Sequence, residues 1–239
     1  MGSSGLHPIL SGDHAGVEHI RRLMLTGTLI IGLGGAVGFL GWPEIDQWVA
    51  ALFIGDDGGF VLKGNPFGTL LRLGFKTIFV LGAGIALVSL LLSFAQKRPV
   101  LGHHRGRWLF LVLSLIIGPG LVANTLFKDH WGRARPYQVI NDGKTFSPAL
   151  VPSDQCERNC SFVSGESASI YALFFGLALM GGNWRFIWLW SGLTLGSAAG
   201  LMRMAQGGHY LSDVVFSGVF MALVVLMLSY LTRPRSPPP

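Results

Sequence analysis

Apolar runs constrain this chain more than anything else in it. Residues 23–42, 70–94, 108–127, 164–180, 186–202 and 211–231 are each dominated by Leu, Ile, Val, Phe, Gly and Ala, with few charges. A bilayer core about 30 Å thick needs about 20 apolar residues in a helix. Such a segment must satisfy its own backbone hydrogen bonds, which a helix does internally. The sequence therefore predicts an all-α, polytopic membrane protein with about six transmembrane helices. The second run carries Arg72 and Lys76 near its start, where both side chains can reach the interface. Pro119 predicts a kink in the third.

Charge orients the spans. Arg21 and Arg22 precede the first run, and Lys97, Arg98, Arg105 and Arg107 separate the second and third. Arg185 follows the fourth, and Arg233 and Arg235 follow the sixth. Alternation puts all of these on one side. The opposite side gathers Glu44, Asp46, Asp56, Asp57, Asp129, Asp142, Asp154, Glu157, Glu166 and Asp213. By the positive-inside rule the basic side is cytoplasmic, with both termini inside. The net charge of +6 is thereby accounted for by topology, because the cations are scattered between apolar runs and form no nucleic-acid patch.

Three domain-level segments follow. Residues 1–20, polar and Gly/Ser-rich at the start, are expected to be a flexible tail. Residues 21–231 form the membrane domain, and 232–239, ending RPRSPPP, are expected to be disordered. The outer loop after the first span holds a short apolar run, residues 48–54, too short to cross. It is either an amphipathic interfacial helix or a lid on the bundle. Cys156 and Cys160 share one outward loop, SDQCERNCSF, where an oxidising compartment favours a local disulfide, with free thiols the alternative.

The outer face carries three polar clusters, each at a helix end. KDHWGRARP supplies Lys128, Arg133 and Arg135 as cations, SFVSGES opens the fourth helix with Ser164 and Gly165, and RMAQGGHYLSD bridges the fifth and sixth. Lysine and arginine provide charge-assisted donors for an oxyanion. A helix N-terminus adds backbone N–H groups and a favourable dipole. Together these make a phosphate cradle, although cations at a membrane face also bind headgroups and Ser164 could be a plain N-cap. Only His130 and His209 among the seven histidines face outward. His209 and Asp213 stand four apart, which puts them on one helical face. An aspartate accepting from one ring nitrogen would leave the other available to attack. His130 has no such company and reads as a neighbouring or surface residue.

The order Lys128-x6-Arg135-Pro136, Ser164-Gly165, Arg203-x5-His209-x3-Asp213 resembles the type 2 phosphatidic acid phosphatase (PAP2) superfamily, in its membrane lipid phosphatase branch. The resemblance covers about the last half of the chain. It implies that His209 is a nucleophile forming a phosphohistidine and that Asp213 orients it. It also implies that Lys128, Arg135, Arg203, Ser164 and the Gly165 amide hold the phosphate, with no metal or other cofactor. Where the family has Pro-Ser-Gly-His, this chain has Val163-Ser164-Gly165-Glu166. Either Glu166 protonates the leaving group, or the leaving group needs no acid, which tilts toward diphosphate or sugar-phosphate lipids.

The implied activity is removal of phosphate from a lipid (di)phosphate: polyprenyl diphosphate, lipid A, phosphatidylglycerol phosphate or phosphatidate. The implied partners are that lipid and the bilayer, without nucleic acid or a protein partner. The site would face the periplasmic side of a bacterial inner membrane. Two alternatives share the cradle: a lipid-to-lipid phosphotransferase, and a non-catalytic lipid-phosphate binder or transporter.

Overall fold

The computed structural model describes residues 7–232, and these are helical apart from connecting loops. In chain order come α1 (His7–Gly41), α2 (Glu44–Ala51), α3 (Pro66–Gln96), α4 (Arg105–Leu115), a π-helical continuation (Ile116–Phe127), α5 (Lys128–His130), α6 (Pro136–Asn141), α7 (Gly165–Leu179), α8 (Arg185–Ala205) and α9 (Leu211–Leu231). Of the tail expected over residues 1–20, residues 1–6 lie outside the described residues and the remainder enters α1. The expected C-terminal tail lies outside them from residue 233 onward.

Among the described residues, four helical stretches are long and apolar enough to cross a membrane: Ala15–Gly41, Pro66–Gln96, Arg105–His130 and Leu211–Leu231. α7 is apolar but has 15 residues, about 22 Å at 1.5 Å per residue. Its position explains that length. α7 packs against α8, α9, α4 and α3, and all but three of its residues are buried. A helix walled in by others meets little lipid, so it is apolar on every side without needing the full span.

The third span changes winding midway. Pro119 lacks the N–H that an α-helix would direct to Leu115, and from Ile116 onward the chain adopts the wider π turn. Asn124 Nδ2 donates to the Pro119 carbonyl at 2.7 Å, occupying an acceptor near the proline. The expected disturbance at Pro119 is thus a widened helix that continues to Phe127 and delivers Lys128.

α2 lies over the end of the bundle that carries the three motifs, turning Asp46 and Ala50 inward and leaving Trp48 and Leu52 exposed. The short apolar run is therefore partly a packed helix with its polar anchor inside. Aromatic rings fill the core beneath it: Phe127, Trp131, Phe162, Phe216 and Phe220 pack with ring centroids 4.6–6.1 Å apart. That cluster ties the ends of the third span and α9 to the loop before α7.

Candidate active site

Each motif sits where one element ends and another begins. Lys128 terminates the π-helical stretch, Ser164 is the N-cap of α7, Arg203 occupies the last turn of α8, and Asp213 the first turn of α9. Backbone bonds stitch these ends together. Cys160 N donates to the Lys128 carbonyl at 2.8 Å, Ser161 N to Arg133 at 2.8 Å, and Ser164 N to Asp213 at 3.2 Å.

Two glycines set the spacing of the cations. A Cβ on Gly165 would lie 2.6 Å from Lys128 Nζ, so only glycine lets that amine reach the start of α7. A Cβ on Gly208 would lie 2.5 Å from Arg203 Nη2. Ser164 is fully buried, and its Oγ accepts from Ser167 Oγ at 3.1 Å. Arg203 is mostly buried and donates from Nη1 to Gln206 Oε1 at 2.5 Å, while its Nε has no hydrogen-bond partner.

His209 is fully enclosed. Its Nδ1 lies 2.6 Å from the Ser161 carbonyl, which can only accept, so this nitrogen carries the proton. Nε2 therefore holds the lone pair, and it has no partner. Burial pulls the pKa of His209 down to about 4, with Asp213 opposing and the Arg135 and Arg203 guanidiniums adding to the fall. The ring is neutral across the physiological range. It is an imidazole with one nitrogen fastened and the other waiting.

Asp213 stands farther from Nδ1, at 3.6 Å. Its carboxylate is taken by other donors: Arg133 Nη1 at 2.6 Å, Ser161 Oγ at 2.5 Å and the Tyr210 N–H at 2.8 Å. The aspartate thus positions His209 partly through Ser161, the residue whose carbonyl fixes the tautomer. Sequence spacing identified the His–Asp pair but had no signal for Ser161.

Arg133 and Arg135 divide the work of one motif. Arg133 is fully buried and spends its donors on the protein. It binds Asp213, Ser212 Oγ at 2.9 Å, Asp46 at 2.7 Å and the Ser147 carbonyl at 2.8 Å, with Tyr210 stacked 4.3 Å away. Asp46 also accepts from the Ser212 N–H at 2.9 Å. Burial raises the Asp46 pKa above the ordinary carboxylate range, with Arg133 opposing and Asp213 adding to the rise. Arg135 reaches outward, and its guanidinium is steadied by Asn159, whose carbonyl accepts at 2.7 and 3.1 Å and whose Oδ1 accepts at 2.8 Å. Asn159 belongs to the small loop closed by the Cys156–Cys160 disulfide, which has Cα atoms 5.7 Å apart.

Glu166 does not stand alone. Arg72, from α3, donates to its Oε1 from Nε at 2.9 Å and approaches from Nη2 at 2.7 Å, while Arg203 Nε lies 3.6 Å from the same oxygen. A carboxylate so engaged is ionised and acts here as a counter-ion. Arg72 was legible only as a cation near a membrane interface. His130 is exposed, its Nδ1 donating to the Thr125 carbonyl at 2.9 Å.

Two cavities share Thr69 and Arg72 in their walls. One, of about 300 Å³, is ringed by Lys63, Arg72, Arg135, Tyr137, Arg203 and Gln206. The other, of about 540 Å³, has Lys128, Gly165 and Glu166 at its polar end and Leu73, Phe75, Phe79 and Val80 along α3. A basic chamber opening into an apolar cleft fits an amphiphile with an anionic head.

Comparison with known proteins agrees with this chemistry. The sequence profile of the PAP2 superfamily matches residues 107–237. A lipid A 4'-phosphatase of Francisella tularensis subsp. novicida is 38% identical over 218 residues, covering 83% of this chain and 95% of that protein. A lipid A 4'-phosphatase of Rhizobium leguminosarum is 32% identical over 210 residues, 82% of this chain and 90% of its own length. A lipid A 1-phosphatase of Rhizobium etli is 32% identical over 126 residues, about half of each chain. No solved structure gives a significant match.

Proposed function

Because the chain belongs to the PAP2 superfamily, we propose that it is an integral membrane phosphatase that removes a phosphate from the sugar headgroup of a lipid A-type glycolipid. The observation that carries this is the unpartnered Nε2 of His209, held in the lone-pair tautomer beside Arg135 and Arg203. The lipid's acyl chains enter along the apolar cleft on α3, and its phosphate meets Lys128, Arg135, Arg203, Ser164 and the Gly165 amide. The six-span plan, both termini cytoplasmic, puts this end at the periplasmic face of a bacterial inner membrane. The charge asymmetry and the disulfide support that orientation.

Catalysis proceeds in two displacements. The Nε2 lone pair attacks phosphorus in line, forming the N–P bond as the P–O bond to the sugar breaks. The cations and the α7 amide stabilise charge on the three equatorial oxygens. The departing sugar oxygen takes a proton from Glu166, which acquires it from water once the arriving phosphate draws its guanidiniums away. Water then attacks phosphorus, the N–P electrons return to Nε2, and Glu166 takes the water's proton. Inorganic phosphate leaves, Glu166 gives that proton back to solvent, and the carboxylate is restored.

Purified protein incubated with lipid A in detergent, with no acceptor lipid present, tests the reading. Phosphate should be released, labelled phosphate should be trapped on the chain at short times, and His209→Ala should abolish both. Transfer of label to a second lipid without release would instead identify a phosphotransferase. Binding without either reaction would leave only a carrier.

A further inference from the structure

We propose that Arg72 is a substrate-positioning residue, a fourth cation of the phosphate seat that Glu166 holds in the empty site and releases to the substrate. This rests on reading the basic chamber as a phosphate seat. Arg72 lies on α3, outside residues 107–237 that carry the family's motifs. It and Thr69 line both cavities, so Arg72 stands where the headgroup chamber opens into the apolar cleft. Its side chain is about half exposed, and a charged group within an apolar span is costly unless used.

Glu166 supplies the reason it points there. Its Oε1 accepts Arg72 Nε at 2.9 Å and lies 3.6 Å from Arg203 Nε, an atom with no hydrogen-bond partner. One carboxylate oxygen therefore draws an α3 guanidinium and an α8 guanidinium toward one point, next to the Gly165 amide. Placing a carboxylate at a phosphate seat costs affinity through like-charge repulsion. Arg72 offsets that charge while the seat is empty. An incoming phosphate offers the two guanidiniums several oxygens in fork geometry, a better acceptor set than the one carboxylate oxygen that now engages both. Arg72 and Glu166 thus act as a unit: the arginine passes to the phosphate, and the carboxylate is freed for proton transfer.

The experiment is calorimetric binding of inorganic phosphate to the full chain in detergent, alongside steady-state kinetics on lipid A. Four proteins are compared: unaltered, Arg72→Gln, Glu166→Gln and the double variant, with Arg72→Lys as a charge-preserving control. Arg72→Gln should weaken phosphate binding and raise KM about tenfold, the worth of one charge-assisted contact, with a smaller change in kcat. Arg72→Lys should recover part of the binding. Glu166→Gln should tighten phosphate binding while lowering kcat, and the tightening should shrink when Arg72 is also replaced, leaving the part due to like-charge repulsion and Arg203. Phosphate affinity indifferent to Arg72, or tightening by Glu166→Gln that is undiminished without it, overturns the proposal. If lipid A is not hydrolysed yet phosphate affinity still depends on Arg72, the substrate assignment fails and the pairing survives. If hydrolysis requires His209 but phosphate affinity ignores Arg72, the pairing alone fails.

Discussion

The two halves of the molecule solve different problems. In the candidate spans of the first half, Ala15–Gly41 and Pro66–Gln96, the most apolar windows are 11% and 22% buried, whereas that of Leu211–Leu231 is 61% buried. The first half mainly presents side chains outward, where lipid would cover them. The second half packs α7, α8 and α9 into a dense hub that holds most of the candidate site. Yet the outward half sends three charged residues toward the hub: Arg21, which donates to Ser229 of α9, Asp46, which binds Arg133, and Arg72, which binds Glu166. The family's motifs describe the hub, while these polar contacts join α1, α2 and α3 to it alongside the packing of α1 on α9 and α3 on α7.

Asp46→Ala should break that arrangement most severely. It leaves the fully buried Arg133 with one carboxylate instead of two, and losing a partner of a buried pair costs about 3–5 kcal/mol. Thermal unfolding in detergent should show a matching drop in stability. An unchanged midpoint would mean that the first half is not needed to hold the hub.

The second prediction concerns pH. With His209 at about 4, the acid limb of kcat/KM should fall near pH 4, well below the ordinary histidine value near 6.5. The unfolded chain binds this proton more readily than the folded one between those two values. Stability should therefore rise with pH across that window and lose the His209 contribution as pH falls through it. An acid limb at 6.5 would mean that the ring is open to water.

A third, smaller effect is expected from reductant. Cleaving the Cys156–Cys160 bridge loosens the loop that carries Asn159 and so the grip on Arg135. KM for the lipid should rise by a few-fold, within about 1 kcal/mol, with kcat nearly constant. A Cys156→Ser, Cys160→Ser variant should start at the raised KM and ignore reductant. Smallest of all is Lys76→Met. Lys76 lines the apolar cleft one turn beyond Arg72, and its replacement should stay within about 0.5 kcal/mol of wild type in kcat/KM. A large loss there would extend the headgroup chamber deeper along α3 than its polar residues suggest.

The parts legible in the sequence were those that need only local spacing. The His209–Asp213 pair, the Lys128/Arg135 motif and the Ser164-Gly165 helix start are each short, and their residue types state their chemistry. What escaped depends on contacts between distant segments. Asp46 and Arg133 are 87 residues apart, and Arg72 and Glu166 are 94 apart. No periodicity reports such pairings. Arg133 and Arg135 sit two apart in one motif, yet one is wholly internal and the other faces the chamber, a distinction made by the packing of α2 and Tyr210. The short α7 escaped for a related reason, since hydropathy measures how apolar a helix is and not what surrounds it.

The clamp of Arg133 between Asp46 and Asp213 has a practical corollary. A gene fragment encoding only the stretch that matches the family would carry every motif and still lack one jaw of that clamp. Such a fragment, expressed alone, should be recovered as aggregate. Co-expression with the missing N-terminal segment is the cheapest way to rescue it.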